Sequence, residues 1–406
     1  MNYKNSPFAL CIFWFAALFV VHSLALPLRG QEIDIGRVEV QGDARVVPVL
    51  IESNQPKLKE LAERAFSAHG GFRVVRDRSS AAFVFQFQGG TGNRVELGIV
   101  SGSGSFREVV TGNNPSNALY RAADLAVRKT TGQPGFFAGK LTFIADRSGA
   151  KEVYVSDLFL TEVRELTQDG ADSVGPRWAP DGRHLLYTSY YRSGFPDIFK
   201  IDTATNRRTP FVSARGTNTG ARYSPNGRNV AMVLSGSGNP EVYISNSEGK
   251  QIRRLTRTEA VQSSPSWSPD GSRLVFTSDR NGRPQLFVMR ASGGDMSRIP
   301  TNISGNCTEP DWNPADANLI AFTAAVGGRF AIALYDFNKR ESRFLTQGPG
   351  DAVTPVWTND GRHLVYTART STTSRLMLLD THTGKTTALS GDRMGKATHA
   401  DFWIER

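Results

Sequence analysis

Apolar and polar residues alternate in short runs over the last two thirds of the chain, and the runs recur at a regular distance. The unit is clearest between Ser263 and Arg290, which reads SSPSWSPDGSRLVFTSDRNGRPQLFVMR. A Pro and a Trp precede a Pro-Asp-Gly turn, and two apolar runs of period two follow the turn. Alternation of this period predicts β-strands, and Asp-Gly favours the positive φ angles of a tight hairpin turn.

An aromatic residue marks the same place in six repeats. At steps of 45, 44, 45, 45 and 46 residues, the place is taken by Trp178, Tyr223, Trp267, Trp312, Trp357 and Trp403. A sustained period in the mid-forties, with four short strands per unit, predicts the blades of a β-propeller. Because this marker aromatic recurs at one place, we expect it to pack between neighbouring blades.

The two ends of the repeat array are incomplete in complementary ways. Five full units cover about residues 172–390. The segment Gly139–Thr167 before them has three strands without the marker strand, and Ala397–Arg406 after them is a marker strand alone. We therefore expect the ends to form a sixth blade together, which closes the ring and removes two open sheet edges. The sequence predicts a mainly β protein with a six-bladed propeller over residues 139–406.

Residues 31–134 lack the repeat, and their pattern of helical and β-rich segments predicts a small α+β domain. The segment QPKLKELAERAFSAHGG has an apolar helical face and ends at Gly70-Gly71. A second helix is expected from Pro115 to Gly132, and short β-rich runs lie between the two helices.

The first 25 residues predict a secretory signal peptide. Lys4 gives a positive start, the next apolar run has 14 residues, and SLA offers a cleavage site after Ala25. Cleavage after Gly30 is the alternative. The run is too short to cross a bilayer comfortably, so the exported chain is not expected to span a membrane, although an uncleaved anchor stays open.

Charge and cysteine content narrow the possible partners. The formal net charge is +10, yet no run of five or more Lys or Arg occurs. In an exported protein this pattern argues against nucleic-acid binding and fits acidic partners or anionic surfaces. Removal of Cys11 with the signal peptide leaves Cys307 alone, so no internal disulfide is expected. We expect a monomer.

Motifs that carry chemistry are missing from the sequence. There is no Gly-x-Ser-x-Gly, His-Glu-x-x-His or Cys-x-x-Cys. We therefore expect no enzymatic activity, cofactor or metal site. His184 and His363 follow Asp-Gly-Arg in equivalent turns and are expected to lie in solvent. His69 ends the first helix, where a positive charge is mildly favoured.

The candidate site is the mouth of the propeller channel. The residues just before each marker strand rim one end of the channel and differ from repeat to repeat. Because these polar residues are not needed for the packing that all blades share, they can vary to recognise a partner. They therefore favour a protein-docking site. The predicted contact residues are Asp172, Ser173, Thr217, Asn218, Gln262, Ser263, Thr308, Glu309 and Thr354.

Two other functions stay open. A carbohydrate-binding or peptidoglycan-binding propeller of the envelope needs exposed aromatic residues at the mouth, and the predicted ring has none. A propeller-fold lyase or hydrolase needs a cluster of His, Asp and Glu or a metal site. Only Asp172 and Glu309 supply acids in the predicted ring, and no histidine joins them.

The whole arrangement resembles the TolB family of the Tol-Pal envelope system. The resemblance rests on the order of parts, on the Pro-x-Trp-Ser-Pro-Asp-Gly repeats, and on the junction NALYRAADLAVRKTTGQPGFFAGKLTFIAD, Asn117–Asp146. The segment QEIDIGRVEVQGDARVVPVLI also resembles the family's N-terminal segment. The resemblance implies a non-enzymatic periplasmic adaptor that supports envelope integrity, outer-membrane constriction at cell division and protein import.

The resemblance also implies two partners. The predicted mouth residues would bind a Pal-like outer-membrane lipoprotein. A TolA-like inner-membrane protein would contact the N-terminal segment Gln31, Glu32, Ile33, Asp34, Ile35 and Gly36. The chain departs from the family in two places: the front domain lacks a helix after Ser79, and Thr217 and Ala221 stand where the family often has His and Pro. Asn218 matches the family motif.

Overall fold

A computed structural model describes residues 46–405. Its first part is a five-stranded sheet with two helices. The elements are β1 Val47–Ser53, α1 Pro56–His69, β2 Phe72–Val75, β3 Phe83–Gly89, β4 Arg94–Ser101, β5 Gly104–Thr111 and α2 Pro115–Thr131. The strand order is β2-β1-β3-β4-β5, in which β1 is parallel to β2 and β3, and β4 and β5 continue the sheet in antiparallel fashion. This is the small α+β domain predicted from the sequence, here called the front domain.

Both helices begin with proline and end at glycine. The side chain of Asn114 caps α2 by accepting the N–H of Asn117 at 2.7 Å. Helix α1 ends at Gly70, which has φ +75°, and a Cβ there would lie 2.3 Å from a carboxylate oxygen of Asp380 in the propeller. Glycine is therefore required twice at this position, for its backbone angle and for the close approach. No helix within residues 46–405 is long and apolar enough to cross a membrane.

Six four-stranded antiparallel sheets follow and form the six blades of a propeller, as predicted. The first blade is β9 Ser173–Trp178, β10 His184–Ser189, β11 Asp197–Asp202 and β12 Arg208–Val212. The second is β13 Asn218–Tyr223, β14 Asn229–Leu234, β15 Glu241–Asn246 and β16 Arg253–Arg254. The third is β17 Gln262–Trp267, β18 Arg273–Ser278, β19 Gln285–Arg290 and β20 Ser297–Arg298.

The fourth blade is β21 Cys307–Trp312, β22 Leu319–Val326, β23 Arg329–Asp336 and β24 Glu341–Phe344. The fifth is β25 Asp351–Trp357, β26 His363–Arg369, β27 Ser374–Asp380 and β28 Thr386–Ala388. The sixth combines both ends of the array, β6 Lys140–Ala145, β7 Glu152–Asp157, β8 Val163–Glu165 and β29 Thr398–Trp403. We call the end at which the first strand of each blade begins the mouth end, and the opposite end, with the Pro-Asp-Gly turns, the turn end.

The closing strand β29 pairs with β6 and confirms that the chain ends share a blade. The register corrects one assignment. In the first blade the marker Trp178 pairs with Leu185, but in the sixth blade Leu141 pairs with Phe402, not with Trp403. Phe402 is therefore the sixth marker, and Trp403 lies one residue beyond it. The indole N–H of Trp403 donates instead to the carbonyl of Pro180 in the next blade, at 3.0 Å.

The front domain contacts the propeller at the turn end, beside the fifth blade. His363 is fully buried there, with Nδ1 2.6 Å from Asp360 Oδ2 and Nε2 2.6 Å from the carbonyl oxygen of His69. Both neighbours are hydrogen-bond acceptors, so each ring nitrogen of His363 has an acceptor within hydrogen-bond distance. The expectation that His363 lies in solvent is therefore wrong. His184, in the equivalent turn of the first blade, keeps a side chain that is 28% exposed.

His69 is also buried, although the sequence favoured a positive charge at this helix end. Its Nδ1 accepts the N–H of Gly71 at 3.2 Å, and its ring centroid lies 4.6 Å from that of His363. Burial lowers the pKa of His69 well below its ordinary value, and the charges of His363 and Arg362 lower it further. The ring is therefore neutral, and the positive charge at the end of α1 belongs to the propeller.

Candidate functional site at the propeller mouth

The first strand of each blade lines the central channel, and each of these strands has a register shift near the mouth. One residue per strand has a positive φ angle, between 51° and 65°: Gly175, Gly220, Ser264, Glu309, Thr354 and His399. Four of the six are not glycine, and other residues rarely adopt this conformation. Backbone strain of this kind clusters at functional sites, where surrounding contacts must hold it.

Threonine hydroxyls of the neighbouring blade hold these bulges. The N–H of Glu309 donates to Thr277 Oγ1 at 3.2 Å, and the N–H of His399 donates to Thr367 Oγ1 at 3.2 Å. Both threonines lie on the second strand of the preceding blade. The geometry of the mouth therefore depends on contacts between blades and not on one strand alone.

A cavity of about 240 Å³ opens inside the mouth. The acid that lines it is Glu309, whose Oε2 accepts the hydroxyl of Thr323 at 2.7 Å and the N–H of Thr354 at 3.0 Å. The other carboxylate oxygen has no hydrogen-bond partner within residues 46–405. The site thus presents a fixed carboxylate with one oxygen left for a ligand.

His399 lines the same cavity, so the expectation that no histidine joins the acids of the mouth is wrong. Its Nδ1 lies 3.1 Å from Thr398 Oγ1. Burial lowers the pKa of His399, and the negative charge of Glu309 opposes this shift. The imidazole is therefore neutral near pH 7 and offers a donor or an acceptor beside the carboxylate. Since 90 residues separate Glu309 from His399, no local motif could have linked them.

Four charged side chains meet across the channel below the mouth cavity. Arg222 lies 2.5 Å from Asp311 and 4.0 Å from Asp401, and Arg177 lies 3.2 Å from Asp401. Burial disfavours the charged form of Arg222, but attraction to Asp311 and Asp401 raises its pKa overall. Arg222 lines both the mouth cavity and a second cavity of about 380 Å³ toward the turn end. The charges therefore divide the channel into two compartments.

This charge network was missed in the sequence, although a signal for it exists. Arg177, Arg222 and Asp311 each stand directly before a marker aromatic, and Asp401 stands directly before Phe402. Residues at one repeat position converge on the propeller axis, so charges of opposite sign in that position predict contact across the channel.

The predicted mouth residues divide into three groups. Ser263, Glu309 and Thr354 line the mouth cavity. Asp172 is exposed on the rim and pairs with Lys151 at 2.8 Å. Thr217 and Thr308 are half-buried near the rim.

The third group comprises Ser173, Asn218 and Gln262, whose side chains are buried. Ser173 donates to Ser189 Oγ at 3.2 Å, and Gln262 donates to Thr258 Oγ1 at 2.9 Å. Asn218 donates to the carbonyl oxygens of the two loops beside it. These three side chains support the mouth loops, and their burial leaves them unavailable for direct contact with another molecule.

Two further predictions concern sites away from the mouth cavity. The segment Gln31–Gly36 and the signal peptide lie outside the described residues. No group of three or more His, Cys, Asp or Glu side chains within residues 46–405 is arranged to hold a metal ion.

Comparison with known proteins places this geometry in a family. A model described as TolB beta propeller domain matches residues 127–400. The Tol-Pal system protein TolB of Desulfosudis oleivorans is 34% identical over 132 residues, which are 32% of this chain and 30% of that protein. A TolB homolog of Chlorobaculum tepidum is 26% identical over 63% of this chain and 65% of its own length. The chain spans less than two thirds of these relatives.

A solved structure extends the likeness to the front domain. The crystal structure of TolB from Acinetobacter baumannii matches with a TM-score of 0.78 at 20% identity, over 89% of this chain and 98% of that chain. At this identity the match shows a shared fold.

Proposed function

The chain belongs to the TolB beta-propeller family, and from this we propose that it is a non-enzymatic adaptor of a Tol-Pal-like envelope system. Its propeller mouth binds a Pal-like outer-membrane lipoprotein. A TolA-like protein contacts the segment Gln31–Gly36. The protein works in the periplasm as a monomer, after removal of residues 1–25 or 1–30, with residues 31–134 and 139–406 as its two functional units.

One observation carries the assignment of binding to the mouth. Glu309 is held by two hydrogen bonds and by a strained backbone, and one of its oxygens faces a cavity of about 240 Å³. A cavity of this size admits the tip of a loop, not a folded domain. A polar group that is ordered before binding loses little conformational freedom when it binds, which favours recognition of a partner.

The remaining parts of the proposal follow from the family. An adaptor that joins an outer-membrane lipoprotein to an inner-membrane protein links the envelope layers. That link maintains envelope integrity and helps the outer membrane constrict at cell division, and the same contacts serve protein import.

Calorimetric titration with the periplasmic domain of the cognate Pal-like lipoprotein tests the proposal. We expect 1:1 binding at micromolar affinity or tighter, weakened at least about tenfold by Glu309→Gln, because the amide keeps the shape but loses the charge. Glu108→Gln is the matched control, since Glu108 is an exposed acid on the front domain. Absence of binding by the unaltered protein at high concentration would refute the proposed function.

A further inference from the structure

The loop between β10 and β11 exposes three aromatic side chains at the mouth end. Its sequence is YYRSGFP, residues 190–196. Strand β10 ends where β9 begins, as Ser189 pairs with Ser173, so the loop lies on the mouth face. The exposed fractions are 39% for Tyr190, 42% for Tyr191 and 68% for Phe195. These side chains were not predicted at the mouth, because the residues just before the marker strands include no aromatic residue and this loop lies elsewhere in the blade.

Two predicted mouth residues anchor the ends of this loop. The N–H of Tyr190 donates to the carbonyl of Asp172 at 3.2 Å. At the other end, the carbonyl of Pro196 accepts the backbone N–H of Asn218 at 2.9 Å and its side-chain amide at 3.3 Å. The side chain of Asn218 also donates to Asp197 Oδ1 at 3.3 Å. The loop is therefore fixed to the rim of the channel, and Asn218 is a positioning residue for it.

Arginine residues occur in this loop and in the neighbouring loop that Asn218 joins to it. Arg192 and Arg215 are exposed, and within residues 46–405 neither forms an ion pair. A third arginine, Arg208, is already paired with Asp169 and lies 4.7 Å from the ring centroid of Tyr191. Aromatic residues and arginine are the residue types most enriched at the energetic centres of protein interfaces. Two unpaired guanidinium groups favour an acidic partner.

We propose that Tyr190, Tyr191, Arg192, Phe195 and Arg215, here called the aromatic patch, form a second contact surface for the lipoprotein that binds the mouth. The inference rests on the proposed function and adds where and how the partner is held. The partner places an apolar cleft over Phe195 and carboxylates against the two arginines. The mouth cavity then receives one loop tip, and the aromatic patch supplies most of the contact area beside it.

Titration of the full exported chain with the periplasmic domain of the lipoprotein tests this inference. We expect Phe195→Ser to weaken binding about tenfold, because truncation of an interface aromatic removes a large apolar contact. Arg192→Glu is expected to weaken binding and to make it less sensitive to added salt. Val109→Ser, an exposed apolar residue of the front domain (58% exposed), is the matched control and leaves affinity unchanged.

The outcomes separate the inference from the function on which it rests. Tight binding by the unaltered chain that survives both Phe195→Ser and Arg192→Glu overturns the aromatic patch and leaves the mouth intact as the binding site. No binding by the unaltered chain overturns both. Retention of the unaltered chain by purified peptidoglycan, lost in Phe195→Ser while lipoprotein affinity stays the same, assigns the patch to a glycan and also overturns the inference.

Discussion

The two ends of the propeller are built from the same repeats but differ in how far their polar groups are buried and paired. At the turn end, charged groups are buried against the front domain, and His363 has a partner at each ring nitrogen. At the mouth end, Glu309 keeps a free oxygen, the backbone is strained, and Phe195 is 68% exposed. The difference indicates that one end stabilises the assembly of two domains, whereas the other leaves polar and apolar groups exposed, which fits the proposed binding of a partner there.

The largest expected effect tests the turn end. His363→Ala removes the buried partner of the Asp360 carboxylate and the contact with the end of α1, and should lower the free energy of unfolding by about 3–5 kcal/mol. His184→Ala is the matched control, because His184 makes the same contact with Asp181, at 2.7 Å, in a turn that stays partly exposed. That variant should lose less than about 1 kcal/mol. Equal losses in urea unfolding would contradict a special role for the turn of the fifth blade.

A smaller effect concerns the pH dependence of the same contact. His69 stays neutral when folded, since its pKa is lowered, but it takes up a proton below about pH 6.5 in the unfolded chain. Lowering the pH therefore favours unfolding, and His69 should contribute a loss of up to about 2 kcal/mol between pH 7 and pH 5.

The contribution is measured as the difference between the unaltered chain and His69→Gln in urea unfolding at both pH values. The difference isolates His69 from other titrating groups, such as Asp124, whose pKa burial raises to about 7. Parallel pH profiles for the two proteins would show that His69 is not the cause.

The smallest effect tests the strain at the mouth end. Ser264 has φ +52°, so Ser264→Gly should raise the free energy of unfolding by about 0.5–1 kcal/mol through relief of the left-handed conformation. Ser263 next to it lacks a positive φ angle, and Ser263→Gly should lower stability by about 0.5–1 kcal/mol. Thermal unfolding of both variants measures these changes. A loss of stability in Ser264→Gly as well as in Ser263→Gly would show that the backbone at Ser264 is not strained.

The repeat made the propeller predictable, because each blade is encoded locally and the marker aromatics count the blades. In the sixth blade, however, the predicted marker Trp403 lies one residue beyond the true marker, because the pairing of β29 with β6 sets the register there. His184 and His363 follow identical Asp-Gly-Arg turns, yet only one of them meets the front domain. Burial that depends on a distant element cannot be read from the turn itself.

The residues before the marker strands lie at the mouth end, but they do not include every group that lines the cavity there. The residues before the marker strands included Glu309 but not His399. The left-handed residue of β29 lies one place farther from Trp403 than Glu309 lies from Trp312. Asn218 was predicted to contact a partner directly, but its side chain is buried.

The pairing of β29 with β6 joins strands that are about 260 residues apart, so the ring closes only when the last strand is present. A chain that stops before residue 398 contains every other strand of the array, yet β6 is left with a row of unpaired backbone groups. Such an exposed edge pairs readily with other chains and favours aggregation. The last strand is therefore the part of the array whose loss leaves the ring with an open edge.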